Sequence, residues 1–147
     1  MIPPGSLVIL DTNAVVQLVR MNPLGKRIEA DLSLRHRQER PLISVVTVGE
    51  CLALAEHFGW GAEKKSSLMT LLHQLLVLDL GRVGVTERYA AITEHCRRRG
   101  RTLSDNDRWI AATAAAAGAV LVSTDRDFEP LHPDLVTFVW IDPKADT

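Results

Sequence analysis

The 147-residue sequence has little with which to staple, anchor or charge itself. Its two cysteines, Cys51 and Cys96, stand far apart in no metal-binding spacing, which argues against a disulfide framework and a zinc site and for two reduced thiols. Aromatic residues make up only 5% of the chain. The longest stretch of low polarity, from Trp109 to Val122, is too short to span a bilayer and contains Thr113 and Gly118. The first apolar run stops at Asp11 with no basic segment before it, so no secretory signal is expected. These absences predict a cytoplasmic protein with no membrane partner. Charge of one sign is also lacking: 17 Lys and Arg against 18 Asp and Glu leave a net charge of −1. Any attraction to nucleic acid must therefore be local.

Missing motifs exclude further chemistry. No Gly-x-Gly-x-x-Gly follows a strand, as a dinucleotide site requires. The first acid is followed by Asn13 rather than by the second Asp of an Asp-x-Asp phosphotransferase pair. The only lysine after Lys65 is Lys144, in the tail, where a receiver-type phosphoacceptor would need one late in the sheet. The five histidines show no ligand spacing and receive no catalytic role.

What is present is 46% apolar residues in short runs between longer amphipathic stretches. Strands are predicted at Leu7–Leu10, Leu42–Val46, Leu75–Leu78, Val120–Val122 and Thr137–Trp140. Helices are predicted from Thr12 to Leu24, Gly25 to Arg40, Thr47 to Phe58, Ala62 to His73, Thr86 to Arg99 and Ser104 to Ala117, with Gly118 closing the last. Strands alternating with helices describe βαβ units: a single α/β domain over residues 1–147, its parallel sheet of about five strands flanked by helices.

In such a sheet ligands sit beyond the carboxyl ends of the strands, and acids collect there. Asp11 ends the first strand, Glu50 falls in the first turn of the helix after the second, Asp107 opens the helix after Ser104, and Asp125 follows the fourth strand. Each has a plain alternative as a helix cap; Thr47-x-x-Glu50 and Ser104-x-x-Asp107 both resemble capping boxes. Capping does not require the four to converge, and convergence is unfavourable alone. Two carboxylates about 6 Å apart repel by roughly 3 kcal/mol at an effective dielectric near 20. Such a cluster takes up protons or binds a hard cation, and oxygen ligands without His or Cys suit Mg²⁺ or Mn²⁺. Bound there, the ion would activate water for attack on phosphorus.

Asp11-Thr-Asn after a strand, Glu50 opening a helix, Asn106-Asp107-x-Trp-Ile-Ala-Ala-Thr-Ala, and Thr124-Asp-Arg-Asp-Phe128 together resemble the PIN domain, and within it the VapC-type toxins of toxin–antitoxin pairs. The resemblance runs from Leu7 to Trp140 with the motifs in the family's order. It implies an α/β/α sandwich, Mg²⁺- or Mn²⁺-dependent endoribonuclease activity on RNA, a cognate VapB-like antitoxin and a homodimer. Its catalytic, metal-binding quartet falls on Asp11, Glu50, Asp107 and Asp125. Its polar supports fall on Asn13 and Thr124, with Asp127 as a further water-mediated or supporting acid. Asp105 competes with Asp107, which directly precedes the Arg-Trp-Ile-Ala-Ala pattern, and Asp127 competes with Asp125, which is nearer the strand end. Arg97, Arg98, Arg99 and Arg101 form the densest basic cluster, read either as a solvated helix end or as a rim steering RNA phosphates. The apolar positions Leu52, Leu54, Phe58, Trp60, Leu68, Leu71 and Leu72 are chiefly core, with room for a groove that takes a partner helix. The alternatives to a toxin are an RNA-processing nuclease outside any such pair, and a binding module of the same fold with idle carboxylates.

Overall fold

The computed structural model describes residues 2–145. Five strands, β1 (Val8–Leu10), β2 (Leu42–Ser44), β3 (Leu76–Leu78), β4 (Val120–Ser123) and β5 (Thr137–Trp140), form one sheet in the order β3-β2-β1-β4-β5, every pair parallel. Six helices join them: α1 (Thr12–Arg20), α2 (Pro23–Leu32), α3 (Val45–His57), α4 (Ala62–Gln74), α5 (Val85–Arg98) and α6 (Asp105–Ala117). Alternate strand residues serve two cores. Val8, Leu10, Ile43 and Val122 pack with α1 to α4, whereas Ile9, Leu42 and Leu121 pack with α5 and α6. This two-sided burial is why the strands read as continuous apolar runs rather than as alternating ones. The α/β sandwich with five parallel strands is the architecture expected from the sequence. Among the described residues, no helix is long and apolar enough to cross a membrane.

Three local expectations need correction. The second helix does not continue to Arg40. It stops at Leu32, because Ser33 turns left-handed (φ 50°) and the amides of Ser33 and Leu34 close on the carbonyls of Ala30 and Glu29. Its start is fixed by Asn22, whose side chain accepts from the Gly25 amide at 2.8 Å. Gly25 itself cannot be replaced freely, since a Cβ there would lie 2.1 Å from the Gln17 carbonyl oxygen of α1. The second strand ends at Ser44, not Val46. The Ser44 hydroxyl accepts from the Val46 amide at 3.1 Å and starts α3 three residues earlier than a Thr47 cap would. Thr47 is therefore a buried interior residue of α3, and Glu50 belongs to its second turn. Ser104 and Gly118, by contrast, bound α6 as expected, Gly118 with φ +65°.

Candidate active site

The parallel strands β1, β2 and β4 end on one side of the sheet, where Asp11 follows β1, Asp125 lies beyond β4, and Glu50 sits in the helix after β2. Asp11 directly follows β1, and its amide still donates to the Val122 carbonyl at 3.1 Å. The chain then turns into α1 with Asp11 as N-cap, one carboxylate oxygen accepting from the Ala14 amide at 2.9 Å. The other oxygen accepts from the Ser123 hydroxyl at 2.6 Å. Asp11 is only 4% exposed. Burial pushes its carboxyl from the ordinary 3.8 up to about 7; the Ser123 and Ala14 bonds oppose this, and the charges of Asp107 and Asp125 add to it. The capping reading of Asp11 is thus correct as far as it goes. A cap alone has no need of a deeply buried charge in the field of two further acids.

Asp107 lies in the first turn of α6, its amide donating to the Ser104 hydroxyl at 3.2 Å. Burial again leads in raising its carboxyl, to about 6; the Ser104 bond opposes, and Glu50, Asp127 and Asp125 raise it further. Asp125 sits just beyond β4. Its amide donates to the Ser123 hydroxyl at 2.9 Å, and its carboxylate accepts from the Asp127 amide at 3.0 Å. Asp127, more exposed, is pushed upward by burial and by Asp125. Glu50 enters from α3 with both oxygens engaged, one by the Thr12 hydroxyl at 2.6 Å and the other by the Asn106 amide group at 3.3 Å.

The surroundings of the competing acids differ. Asp107 feels the quartet, whereas the Asp105 carboxylate is held by the Tyr89 hydroxyl at 2.8 Å and by the Arg108 guanidinium. Asp125 acts on both Asp11 and Asp107, and Asp127 acts on Asp107. Asn13, in contrast, is exposed, and the two Asp11 oxygens are taken by Ala14 and Ser123. The Thr124 carbonyl accepts from the Trp140 indole at 3.1 Å. The hydroxyls that bond the acids at these junctions are those of Thr12, on Glu50, and Ser123, on Asp11. A one-residue shift at a strand-to-helix junction exchanges an inward for an outward side chain. Ser123 lies on the same face of β4 as Leu121, and it is fully buried.

All the donors at this edge are oxygens, a set suited to a hard divalent cation. Among the described residues, no three His, Cys, Asp or Glu side chains are drawn in tightly enough to cage an ion as they stand. Charge coupling reaches farther than a coordination bond. The charges of Glu50, Asp107 and Asp125 therefore act on one another's neighbourhood at this end of the sheet.

The basic cluster lies at the carboxyl end of α5 and in the connection to α6, near the end that carries Asp107. Arg97 and Arg98 both bond Glu94, at 2.6–2.9 Å, holding its carboxyl down at about 2. Arg99 and Arg101 are exposed. Of the apolar positions weighed as a groove, Leu68 and Leu72 are core, whereas Leu52 and Phe58 are 43% and 46% exposed. Leu71 lines a cavity of about 400 Å³ with Leu18, Met21, Leu34 and Leu75.

The family model of the PIN domain matches residues 8–131 of the chain. Ribonuclease VapC2 from Haemophilus influenzae is 27% identical over 124 residues, covering 82% of this chain and 89% of that protein. VapBC2 from Rickettsia felis, solved bound to a DNA fragment from its promoter, matches with a TM-score of 0.76 at 20% identity, over 90% of this chain and 97% of the other. VapBC-5 from Mycobacterium tuberculosis, a member of the VapBC family of toxin–antitoxin systems, matches with a TM-score of 0.68 at 22% identity, over 93% and 100% of the two chains.

Proposed function

Because the chain belongs to the PIN domain family, we propose that it is a divalent-metal-dependent endoribonuclease, the toxin of a VapBC-type pair acting in the cytoplasm. One observation carries the reading. Burial first, then the charges of Asp107 and Asp125, raises the Asp11 carboxyl, and burial first, then the charges of Glu50, Asp127 and Asp125, raises that of Asp107, so acids from β1, β4, α3 and α6 meet in one field, which capping does not require. Asp11, Glu50, Asp107 and Asp125 would hold Mg²⁺ or Mn²⁺, with Asp127 at the margin. Bound there, such an ion would supply an activated water and neutralise charge developing on the phosphoryl oxygens.

The chain's own residues prepare that edge. Ser123 fixes the two strand-end acids together, donating to Asp11 while accepting from the Asp125 amide. Ser104 fixes the start of α6 and so the place of Asp107. The arginines at the end of α5 offer RNA phosphates a binding rim. Glu94 already occupies Arg97 and Arg98, so Arg99 and Arg101 carry most of that role. The likeness to a named ribonuclease and to VapBC assemblies supports an RNA substrate and an antitoxin partner. The exposed Leu52 and Phe58 offer that partner, or a second copy of the chain, an apolar seat.

The test is degradation of total RNA by the purified protein in Mn²⁺, with Asp11→Asn as control. Expression of the wild type should arrest growth, relieved by the neighbouring small gene product. Intact RNA under these conditions, with harmless high-level expression, would reject the proposal.

A further inference from the structure

The way Glu50 is held goes beyond the acidic quartet itself. Its two carboxylate oxygens are gripped by neutral donors from two other helices, Thr12 of α1 at 2.6 Å and Asn106 of α6 at 3.3 Å. Behind Thr12, the Thr47 hydroxyl lies 3.4 Å from the Thr12 hydroxyl. Both threonines are buried, Thr12 9% exposed and Thr47 fully enclosed. A hydroxyl has one proton to give. At 2.6 Å the Glu50 carboxylate takes that of Thr12, so the 3.4 Å approach to Thr47 is left without it. The 2.6 Å Thr12–Glu50 bond is the short one; the 3.4 Å approach of Thr47 is a polar contact behind it, longer than an O–H···O bond.

Position in the fold makes this more than a packing contact. Thr12 is the residue after Asp11, and Asn106 the residue before Asp107. Each neighbour of a quartet acid therefore reaches across to Glu50, the one acid whose own backbone lies a full turn inside its helix. Asp11 and Asp107 are placed by a strand end and a helix cap. A long glutamate side chain has no such constraint and would lose rotamer freedom on binding an ion.

We infer that Thr12 and Asn106 are positioning residues that preset the Glu50 carboxylate for the metal. The inference rests on the nuclease reading for its purpose, while its geometry stands independently. Outer partners of metal ligands typically change metal affinity or activity by about 10- to 100-fold when removed.

The test is calorimetric titration of Mn²⁺ into wild type, Thr12→Val, Thr12→Ser and Asn106→Ala, beside RNA cleavage kinetics and melting in EDTA. Thr12→Val keeps the shape and removes the hydroxyl. It should weaken Mn²⁺ binding about tenfold or more and lower kcat with little change in KM for RNA, at a melting temperature close to wild type. Thr12→Ser should restore affinity to within about threefold. Exposed Asn106→Ala should shift affinity in the same direction by less, and it carries the test should Thr12→Val not fold. Wild-type affinity in both Thr12→Val and Asn106→Ala, or a Thr12→Ser variant as weak as Thr12→Val, would overturn the inference. A wild type that binds Mn²⁺ in the Thr12-dependent manner yet cleaves no RNA would leave the positioning intact and remove the nuclease reading instead. A wild type that binds no Mn²⁺ would remove both.

Discussion

Replacing Asp11 by Asn should destroy cleavage and stabilise the metal-free protein. The carboxyl of Asp11 is raised from 3.8 to about 7, mainly by burial. At about 1.4 kcal/mol per pH unit, that corresponds to about 4 kcal/mol spent on keeping the buried group ionised at pH 8. The sign follows from proton counting. Between pH 4 and pH 7 the folded chain holds a proton that the unfolded chain has lost, so stability is greatest at the acid end and falls as pH rises through 7. An asparagine at this position would mimic the protonated acid. Its oxygen would still accept from the Ala14 amide, and its amide group would face Ser123, whose hydroxyl can reverse to accept. Allowing about 1 kcal/mol for that rearranged bond, the variant should gain about 2–3 kcal/mol at pH 8. For a chain of this length that is about 5–10 °C in Tm. The assay is thermal unfolding of both proteins in EDTA at pH 5 and pH 8. Wild type should melt higher at pH 5 than at pH 8, and the advantage of Asp11→Asn should shrink toward pH 5. A variant less stable than wild type at pH 8, with no difference in pH dependence, would make Asp11 a simple helix cap and exclude relief of a buried charge.

Two further outcomes follow from the surroundings of α6. Asp107→Asn should abolish cleavage without destabilising the metal-free protein, whereas Asp105→Asn should leave cleavage within a few-fold of wild type, because Tyr89 and Arg108 already hold Asp105; single-turnover rates on one RNA measure both. Arg99→Ala with Arg101→Ala should raise KM for RNA at unchanged kcat. The same pair should reduce the salt dependence of binding by about one log–log unit for each phosphate no longer neutralised, read from binding isotherms across ionic strengths.

The sheet was legible in the sequence because both of its faces are buried, leaving short unbroken runs such as Val8–Leu10 whose ends are marked by acids. The bounds of α6 were equally plain, since Ser104 and Gly118 have few other uses in that setting. Irregular connections were not. The helix expected to run to Arg40 had already ended at Ser33, in a left-handed turn that its residue type does not advertise. At the acidic edge the sequence supplied the charged residue types and left their neighbours ambiguous. Asn13 and Thr124 are polar and adjacent to the right acids, but Thr12 and Ser123 face inward. Asn106, an ordinary first-turn residue by type, reaches Glu50 only because α6 packs beside α3. Such cross-helix bonds depend on docking angles that no local pattern records.

Whether these carboxylates serve metal-assisted hydrolysis of RNA is decided by the ends left on a single labelled RNA. The RNA is incubated with the purified protein in Mn²⁺ and, separately, in excess EDTA. Attack by a metal-activated water should leave 5′-phosphate and 3′-hydroxyl ends in Mn²⁺ and intact RNA in EDTA. Cleavage that persists in EDTA, or fragments ending in a cyclic phosphate, would contradict that chemistry.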